Sequence, residues 1–149
     1  MKRTAQCHCG DVTVEATGEP DHVFICHCTD CQRKTGSAFQ VGAWYVRKNV
    51  TVNGKTHLYT RKHTDRGNKV DFHFCPTCGT SILNTCDELE PDNIGIAMGC
   101  FSDPNFPAPT LSIYGKNRMK WISQCLSLPD DIPKFVSHPY DGSKLEGAD

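Results

Sequence analysis

The chain has 149 residues, of which 38% are hydrophobic and 22% charged, and its formal net charge is -1. This length suits one domain with a substantial core. The balanced charge argues against a nucleic-acid-binding protein, which normally carries a clear positive excess. The N-terminal segment MKRTAQCHCG lacks the apolar stretch of a signal peptide, and nothing approaches the roughly 18 apolar residues of a membrane span. We therefore expect a cytoplasmic protein with neither nucleic acid nor membrane as its partner.

Alternation of apolar and polar residues predicts short β-strands along most of the chain. In chain order these are DVTVEA (11–16), the two flanks of Asn53-Gly54 within VTVNGKTHLY (50–59), KVDFHFC (69–75), NIGIAMGCF (93–101) and TLSIY (110–114). The Asn-Gly pair is a strong signal for a β-hairpin. A turn or two of helix is expected around TDCQRKTG (29–36). The polar run RKHTDRGNK (61–69) is interpreted as a hairpin loop, or alternatively as a lid.

These elements predict one domain over residues 1–149, mainly β, built from small antiparallel sheets. The segment from about 128 to 149 is rich in Pro, Asp and Gly and is expected to form an irregular C-terminal tail.

Ten cysteines are unusually many for a chain of this length. In a reducing compartment such a number indicates metal ligands or catalytic thiols rather than disulfides. C-x-C and C-x-x-C pairs are too close together to be comfortable disulfide partners, but they suit a metal that gathers neighbouring sulfurs.

Two of these pairs lie far apart in the chain, CHCG (Cys7, Cys9) and CPTCG (Cys75, Cys78). If Cys7 and Cys9 lie in a strand, their side chains share one face and can converge on an ion. CPTCG has the form of a zinc knuckle, in which Gly79 permits a positive φ. The four thiolates predict a closed, structural zinc site, with four unrelated thiols as the alternative.

A third group, CHCTDC, offers three cysteines, Cys26, Cys28 and Cys31. Three protein ligands and a vacancy are the general form of a catalytic zinc site. The alternatives are a structural site completed by a nearby His or a distant Cys, or no metal at all. Three thiolates make a zinc ion electron-rich and poor at activating water, so the expected exchangeable ligand is a small-molecule thiol held deprotonated.

The ordered segments CHCG (7–10), CHCTDCQRKTGSAF (26–39), FCPTCG (74–79) and IYGKNRMKW (113–121) resemble the glutathione-dependent formaldehyde-activating enzyme family, which includes the centromere protein V-type domains. The resemblance covers about residues 5–122. It implies a mainly-β domain of small sheets organised around two zinc–cysteine sites, and so two zinc ions per chain.

The resemblance also implies roles for individual residues. It assigns the structural zinc to Cys7, Cys9, Cys75 and Cys78, and a second, catalytic zinc that can take the glutathione sulfur to Cys26, Cys28 and Cys31. The implied activity is that of a carbon–sulfur lyase, the reversible joining of glutathione and formaldehyde to S-hydroxymethylglutathione. A small-molecule thiol–aldehyde adduct is thus the expected partner.

The residues near Cys26, Cys28 and Cys31 are less specific indicators of function. Arg33 and Lys34 are candidate contacts for a glutathione carboxylate, although solvated surface charge is the commoner role of such a pair. Gly36 and Ser37 would let backbone approach a ligand, whereas Phe39 and Trp44 are expected in the core. Three histidines are expected away from the metals, and three further cysteines are read as ordinary thiols; these are His8, His27, His73, Cys86, Cys100 and Cys125.

Two competing functions stay open at this point. One is a zinc-stabilised binding module with two structural sites and no catalysis, and the other is a nucleic-acid-binding zinc ribbon. The balanced charge makes the ribbon the weaker alternative.

Overall fold

The computed structural model describes residues 1–62 and 68–122. The strands within these residues are β1 (Lys2–Gln6), β2 (Thr13–Thr17), β3 (His22–Cys26), β4 (Gln40–Val46), β5 (Val50–Asn53), β6 (His57–Arg61), β7 (Val70–Phe74), β8 (Ser81–Cys86), β9 (Glu90–Ala97) and β10 (Leu111–Ile113). One α-helix, α1 (Thr29–Thr35), follows β3, and short 3₁₀ helices span Arg47–Asn49, Met98–Phe101 and Gly115–Asn117.

The strands form two sheets. The smaller has the order β1-β2-β5 and the larger the order β10-β3-β4-β9-β8-β7-β6. Neighbouring strands run antiparallel throughout except for β10, which pairs in parallel with β3. The predicted mainly-β fold class is confirmed.

The core follows the period-two patterns. In β1 and β2 every second side chain is buried, among them Ala5, Val14 and Ala16, and these residues join the main core cluster with Tyr45 and Ile96. A smaller second cluster consists of Phe24, Cys26 and Ile113, contributed by β3 and β10. The second cluster matters for function because one of the candidate metal ligands belongs to it.

The hairpin predicted at Asn53-Gly54 is wrong. Strand β5 pairs with β2 in the smaller sheet, whereas β6 pairs with β7 in the larger one. Gly54 has φ +91, as the signal requires, but the turn carries the chain from one sheet to the other. A Cβ on Gly54 would collide with the carbonyl oxygen of Asp11, so the close approach requires glycine.

Several further predictions can be compared with the structure. The predicted helix at 29–36 is present as α1, and the strand at 93–101 ends at Ala97, where the chain enters a 3₁₀ helix. Trp44, expected in the core, is half-buried and packs against the second cluster. Most of the loop at 61–69, the tail at 128–149 and Cys125 lie outside the described residues, so those expectations stay predictions. No helix in the described part of the chain is long and apolar enough to cross a membrane.

Candidate functional site

The first candidate metal centre gathers the four cysteines of the two distant pairs, Cys7, Cys9, Cys75 and Cys78. Their sulfur atoms all lie within 4.8 Å of one another. Cys9 Sγ lies 3.6 Å from both Cys7 Sγ and Cys75 Sγ, although Cys9 and Cys75 are 66 residues apart. We refer to these residues as the quartet.

Two tight turns build the quartet, and one differs from the expectation. The sequence predicted that Cys7 and Cys9 lie in a strand. Strand β1 instead ends at Gln6, and the two cysteines lie in the turn that follows it. The amide of Gly10, with φ +90, donates to the Cys7 carbonyl at 3.1 Å. Gly79, with φ +73, donates in the same way to the Cys75 carbonyl at 2.9 Å, as expected for a knuckle.

Hydrogen-bond donors already surround the quartet sulfurs. The amide of Val12 donates to Cys7 Sγ at 3.2 Å, and Thr80 Oγ1 lies 3.2 Å from Cys78 Sγ. The Thr80 hydroxyl and backbone amides lower the pKa of Cys78 to about 5. Since metals bind the thiolate form, the donors at Cys78 favour metal binding there. At Cys9 a hydrogen bond from the Asp11 backbone acts to lower the pKa, but burial and the neighbouring thiols prevail and raise it to about 12.

The second candidate metal centre is the trio of Cys26, Cys28 and Cys31, whose sulfurs also lie within 4.8 Å of one another. Cys26 is the last residue of β3, Cys28 is the N-cap of α1, and Cys31 lies in the first turn of that helix. The Cys31 amide donates to Cys28 Sγ at 3.2 Å. The end of a strand and the start of a helix thus turn three nearby sulfurs toward one point.

The thiols of the trio compete for negative charge. Hydrogen bonds from Cys26 and Cys31 lower the pKa of Cys28 to about 3. Hydrogen bonding to Cys28 and Cys31, together with burial, raises the pKa of Cys26 well above its usual value. The hydrogen bond with Cys26 acts to lower the pKa of Cys31, but its bond to Cys28 and its burial prevail and raise it to about 12. Neighbouring thiolates repel one another, and a divalent cation among the three sulfurs would relieve this repulsion. Soft thiolates are also ligands that zinc accepts. Both cysteine clusters therefore fit a zinc ion.

An open cavity of about 130 Å³ adjoins the trio, and all three cysteines contribute to its lining. Aromatic side chains form much of its wall, namely those of Phe24, Trp44, Phe72 and Tyr114. Among the described residues, no other His, Cys, Asp or Glu joins the trio. The trio is therefore a three-ligand set with space beside it.

Polar side chains in this cavity were missed by the sequence analysis. The described lining contains neither lysine nor arginine, but it includes two acids and four carboxamides, which are Asp30, Glu90, Gln40, Asn68, Asn84 and Asn93. Asn93 Nδ2 donates to Glu90 Oε2 at 3.0 Å. These residues come from α1, β4, β8, β9 and the segment before β7, and nothing in their local sequence indicates that the fold brings them together.

Arg33 and Lys34, the candidate contacts for glutathione, do not line this cavity. Both line an adjoining cleft of about 630 Å³, to which Arg61 contributes a third cation. Lys34 Nζ lies 4.5 Å from the centre of the Phe72 ring. Burial lowers the pKa of Lys34, while the thiols of the trio act in the opposite direction.

The cavity and the cleft share two residues of their linings. Phe72 and Asp30 belong to both. The Asp30 carboxylate also pairs with Arg61 Nε at 2.5 Å. A molecule with its sulfur at the trio could therefore extend past α1 into a cationic cleft.

The remaining candidates lie outside both clusters. The buried His27 ring contacts Phe39, and its Nε2 lies 3.3 Å from Ser112 Oγ. His73 Nδ1 lies 3.1 Å from Thr56 Oγ1. The other described residues in this group, His8, Cys86 and Cys100, join neither cluster.

A mainly-β fold with one four-cysteine and one three-cysteine cluster, each of which could hold a metal ion, defines the class of this protein. The sequence profile of the family described as "Glutathione-dependent formaldehyde-activating enzyme" matches residues 2–117. The chain belongs to this family. Its fold is also similar to the crystal structure of a Rhodobacter sphaeroides protein, with 20% sequence identity and a TM-score of 0.55, over 73% of this chain and 98% of that one.

Proposed function

We propose that the chain is a zinc-dependent carbon–sulfur lyase that reversibly joins a small thiol, foremost glutathione, to formaldehyde, giving S-hydroxymethylglutathione. One observation carries the proposal: three sulfurs form the trio, no other potential metal ligand among the described residues joins them, and a cavity adjoins them. A permanent structural site would use four protein ligands. Membership of a family named for formaldehyde activation with glutathione supports the same reaction.

Zinc at the trio would supply an open coordination position in which a thiol is held deprotonated. The roles of the protein then follow from the site. The aromatic side chains of Phe24, Trp44 and Phe72 give the reacting atoms an apolar wall. The cleft cations Arg33 and Lys34 are placed to meet the carboxylates of glutathione, since the cleft joins the cavity at Asp30 and Phe72.

We also propose that the activity operates in the cytoplasm. Both clusters need reduced cysteines, and the proposed substrate is the cytosolic thiol buffer. The described residues also include two further cysteines, Cys86 and Cys100, as free thiols.

Cobalt substitution tests the thiol site directly. Protein loaded with Co²⁺ is titrated with glutathione while the sulfur-to-cobalt absorption is followed, and S-methylglutathione, whose sulfur carries no proton to lose, is the matched control. We expect glutathione alone to change the spectrum. We further expect the zinc protein to speed the exchange between glutathione and S-hydroxymethylglutathione, measured by exchange NMR. A spectrum unchanged at millimolar glutathione would refute the proposal and favour the binding module.

A further inference from the structure

Gln40 is the first residue of β4 and pairs directly with Cys26, the last residue of β3. Residues directly opposite in an antiparallel ladder project from the same face, with their Cβ atoms roughly 4.5–5.5 Å apart. The register of β3 and β4 thus places a carboxamide beside the most buried sulfur of the trio.

The Gln40 side chain lines the cavity and makes no hydrogen bond to the described residues. Only 6% of the residue is exposed, and it lines the cavity next to the trio. Its carboxamide makes no hydrogen bond to the described residues, whereas that of Gln32 donates to the carbonyls of His27 at 2.8 Å and Asn117 at 3.1 Å. The polar atoms of Gln40 keep some access to the open cavity, so its carboxamide can bind a ligand or water there. The cavity is where that partner has room to bind.

Position distinguishes Gln40 from the other carboxamides in the cavity. Asn84 lies on β8 and pairs with Gly95 of β9, so two strands, β9 and β4, separate it from β3. Asn93 already donates to Glu90, and Asn68 Nδ2 donates to Cys86 Sγ at 3.0 Å. Gln40 alone among these four is paired with a cysteine of the trio.

We propose, on the basis of the function proposed above, that Gln40 is a catalytic residue whose Nε2–H binds the oxygen of an S-(1-hydroxyalkyl) thiol adduct. In the cleavage direction the hydroxyl proton passes to water in the open cavity, the carbon–sulfur bond breaks with its electron pair moving to sulfur, and a carbonyl group forms. Addition reverses each change. In both directions negative charge develops on the oxygen, and the Gln40 N–H stabilises it without transferring a proton.

The neutral donor also defines a substrate class. The described lining of the cavity contains no lysine or arginine; Lys34, which interacts electrostatically with the thiols of the trio, lines the adjoining cleft. A carboxamide beside the trio instead fits a neutral hydroxyl on the carbon that carries the sulfur. The site therefore selects hemithioacetals over simple thiols by the hydrogen bond from Gln40 to the oxygen.

Gln40→Met tests this assignment, because methionine keeps the length of the side chain and removes the carboxamide. Gln6→Met is the matched control, since Gln6 is an exposed strand residue outside the cavity lining. We expect Gln40→Met to slow the exchange between glutathione and S-hydroxymethylglutathione by about 100- to 1,000-fold. The dissociation constant of glutathione from the cobalt-loaded variant should stay within about twofold of the parent value, because free glutathione has no oxygen at that position.

A second readout does not depend on activity. The carboxamide NH₂ signals of Gln40, assigned by their loss in Gln40→Met, should shift when glutathione and formaldehyde are added together but not with glutathione alone. If Gln40→Met fails to fold, Gln40→Glu preserves shape and replaces the donor with an anion, and exchange should fall at least as far.

The outcomes are distinguishable. Parent-like exchange in Gln40→Met overturns the assignment while leaving the proposed function intact. An equal loss of glutathione affinity and exchange also overturns it, because Gln40 would then serve thiol binding or structure. If the parent protein neither binds glutathione nor speeds exchange, the proposed function itself fails and takes the assignment with it.

Discussion

Replacing one ligand in each cysteine cluster separates a structural metal centre from an exchangeable one. The quartet ties the turn after β1, in the smaller sheet, to the turn between β7 and β8 in the larger sheet. The trio ties together only residues 26–31, which the chain itself keeps close. We therefore expect Cys75→Ser to lose folded protein and Cys31→Ser to stay folded with one zinc in place of two.

The magnitudes support a large difference between the two variants. A structural zinc contributes about 10–16 kcal/mol of apparent binding free energy, which is as large as the about 5–15 kcal/mol that stabilises a typical domain. Loss of the quartet zinc therefore removes a free energy comparable to the whole free energy of unfolding of a typical domain. Cys31 is only partly buried, so its replacement leaves an imperfectly paired hydroxyl that costs about 1–3 kcal/mol. The trio closes a loop too short to constrain the unfolded chain strongly.

The assay combines zinc per chain, measured by elemental analysis, with urea unfolding followed by circular dichroism. Cys86→Ser is the control, because Cys86 belongs to neither cluster and a serine hydroxyl can keep its contacts with Asn68 and the Lys69 carbonyl. It should bind two zinc ions and unfold like the parent. If Cys31→Ser and Cys75→Ser lose the cooperative transition equally, the trio is structural and the reasoning on its open position is refuted.

Two glycines give further predictions. Gly54→Ala should reduce the free energy of unfolding by at least about 2 kcal/mol, because it combines a positive φ with a clash against the Asp11 carbonyl. Gly18 has φ +92 with open space around it, so Gly18→Ala tests the backbone strain alone and should reduce the free energy of unfolding by less in the same urea titration. Gly42→Ala would place its methyl 2.5 Å from Cζ of Phe24, so it should cost about 1–3 kcal/mol and weaken glutathione binding by displacing a cavity wall. Gly99→Ala, which meets nothing within 4 Å, should leave both measurements near the parent values, and a similar loss there would contradict the steric explanation.

The elements that sequence predicted well are those set by local spacing. Alternating residues indicated most strands, and cysteines two or three residues apart identified both clusters. The error at Asn53-Gly54 has a physical reason: the pair specifies a turn with positive φ, but strand partners are chosen by side-chain burial elsewhere. Cys7 and Cys9 likewise converge through the turn at Gly10 and not through strand alternation.

Gln40 could not be found from sequence because its role depends on register. A shift of the β3–β4 pairing by one residue would turn its side chain to the opposite face from Cys26. The spacing of 14 positions between these residues carries no signal, since α1 and the segment after it can be of any length. Only the observed pairing shows that the carboxamide and the sulfur share a face.

Helix α1 connects the two parts of the site. Its seven residues include none that is buried, and a helix this short is marginal by itself. Side-chain contacts of four of its residues hold it instead: Cys31 within the trio, Gln32 on the carbonyls of His27 and Asn117, Asp30 on Arg61, and Lys34 over the Phe72 ring. Because α1 lines both the cavity and the cleft, a cation at the trio would fix the helix to β3 and shape both at once. The same ion would then organise both the trio, proposed to bind the sulfur of glutathione, and the cleft, proposed to bind the carboxylates of glutathione.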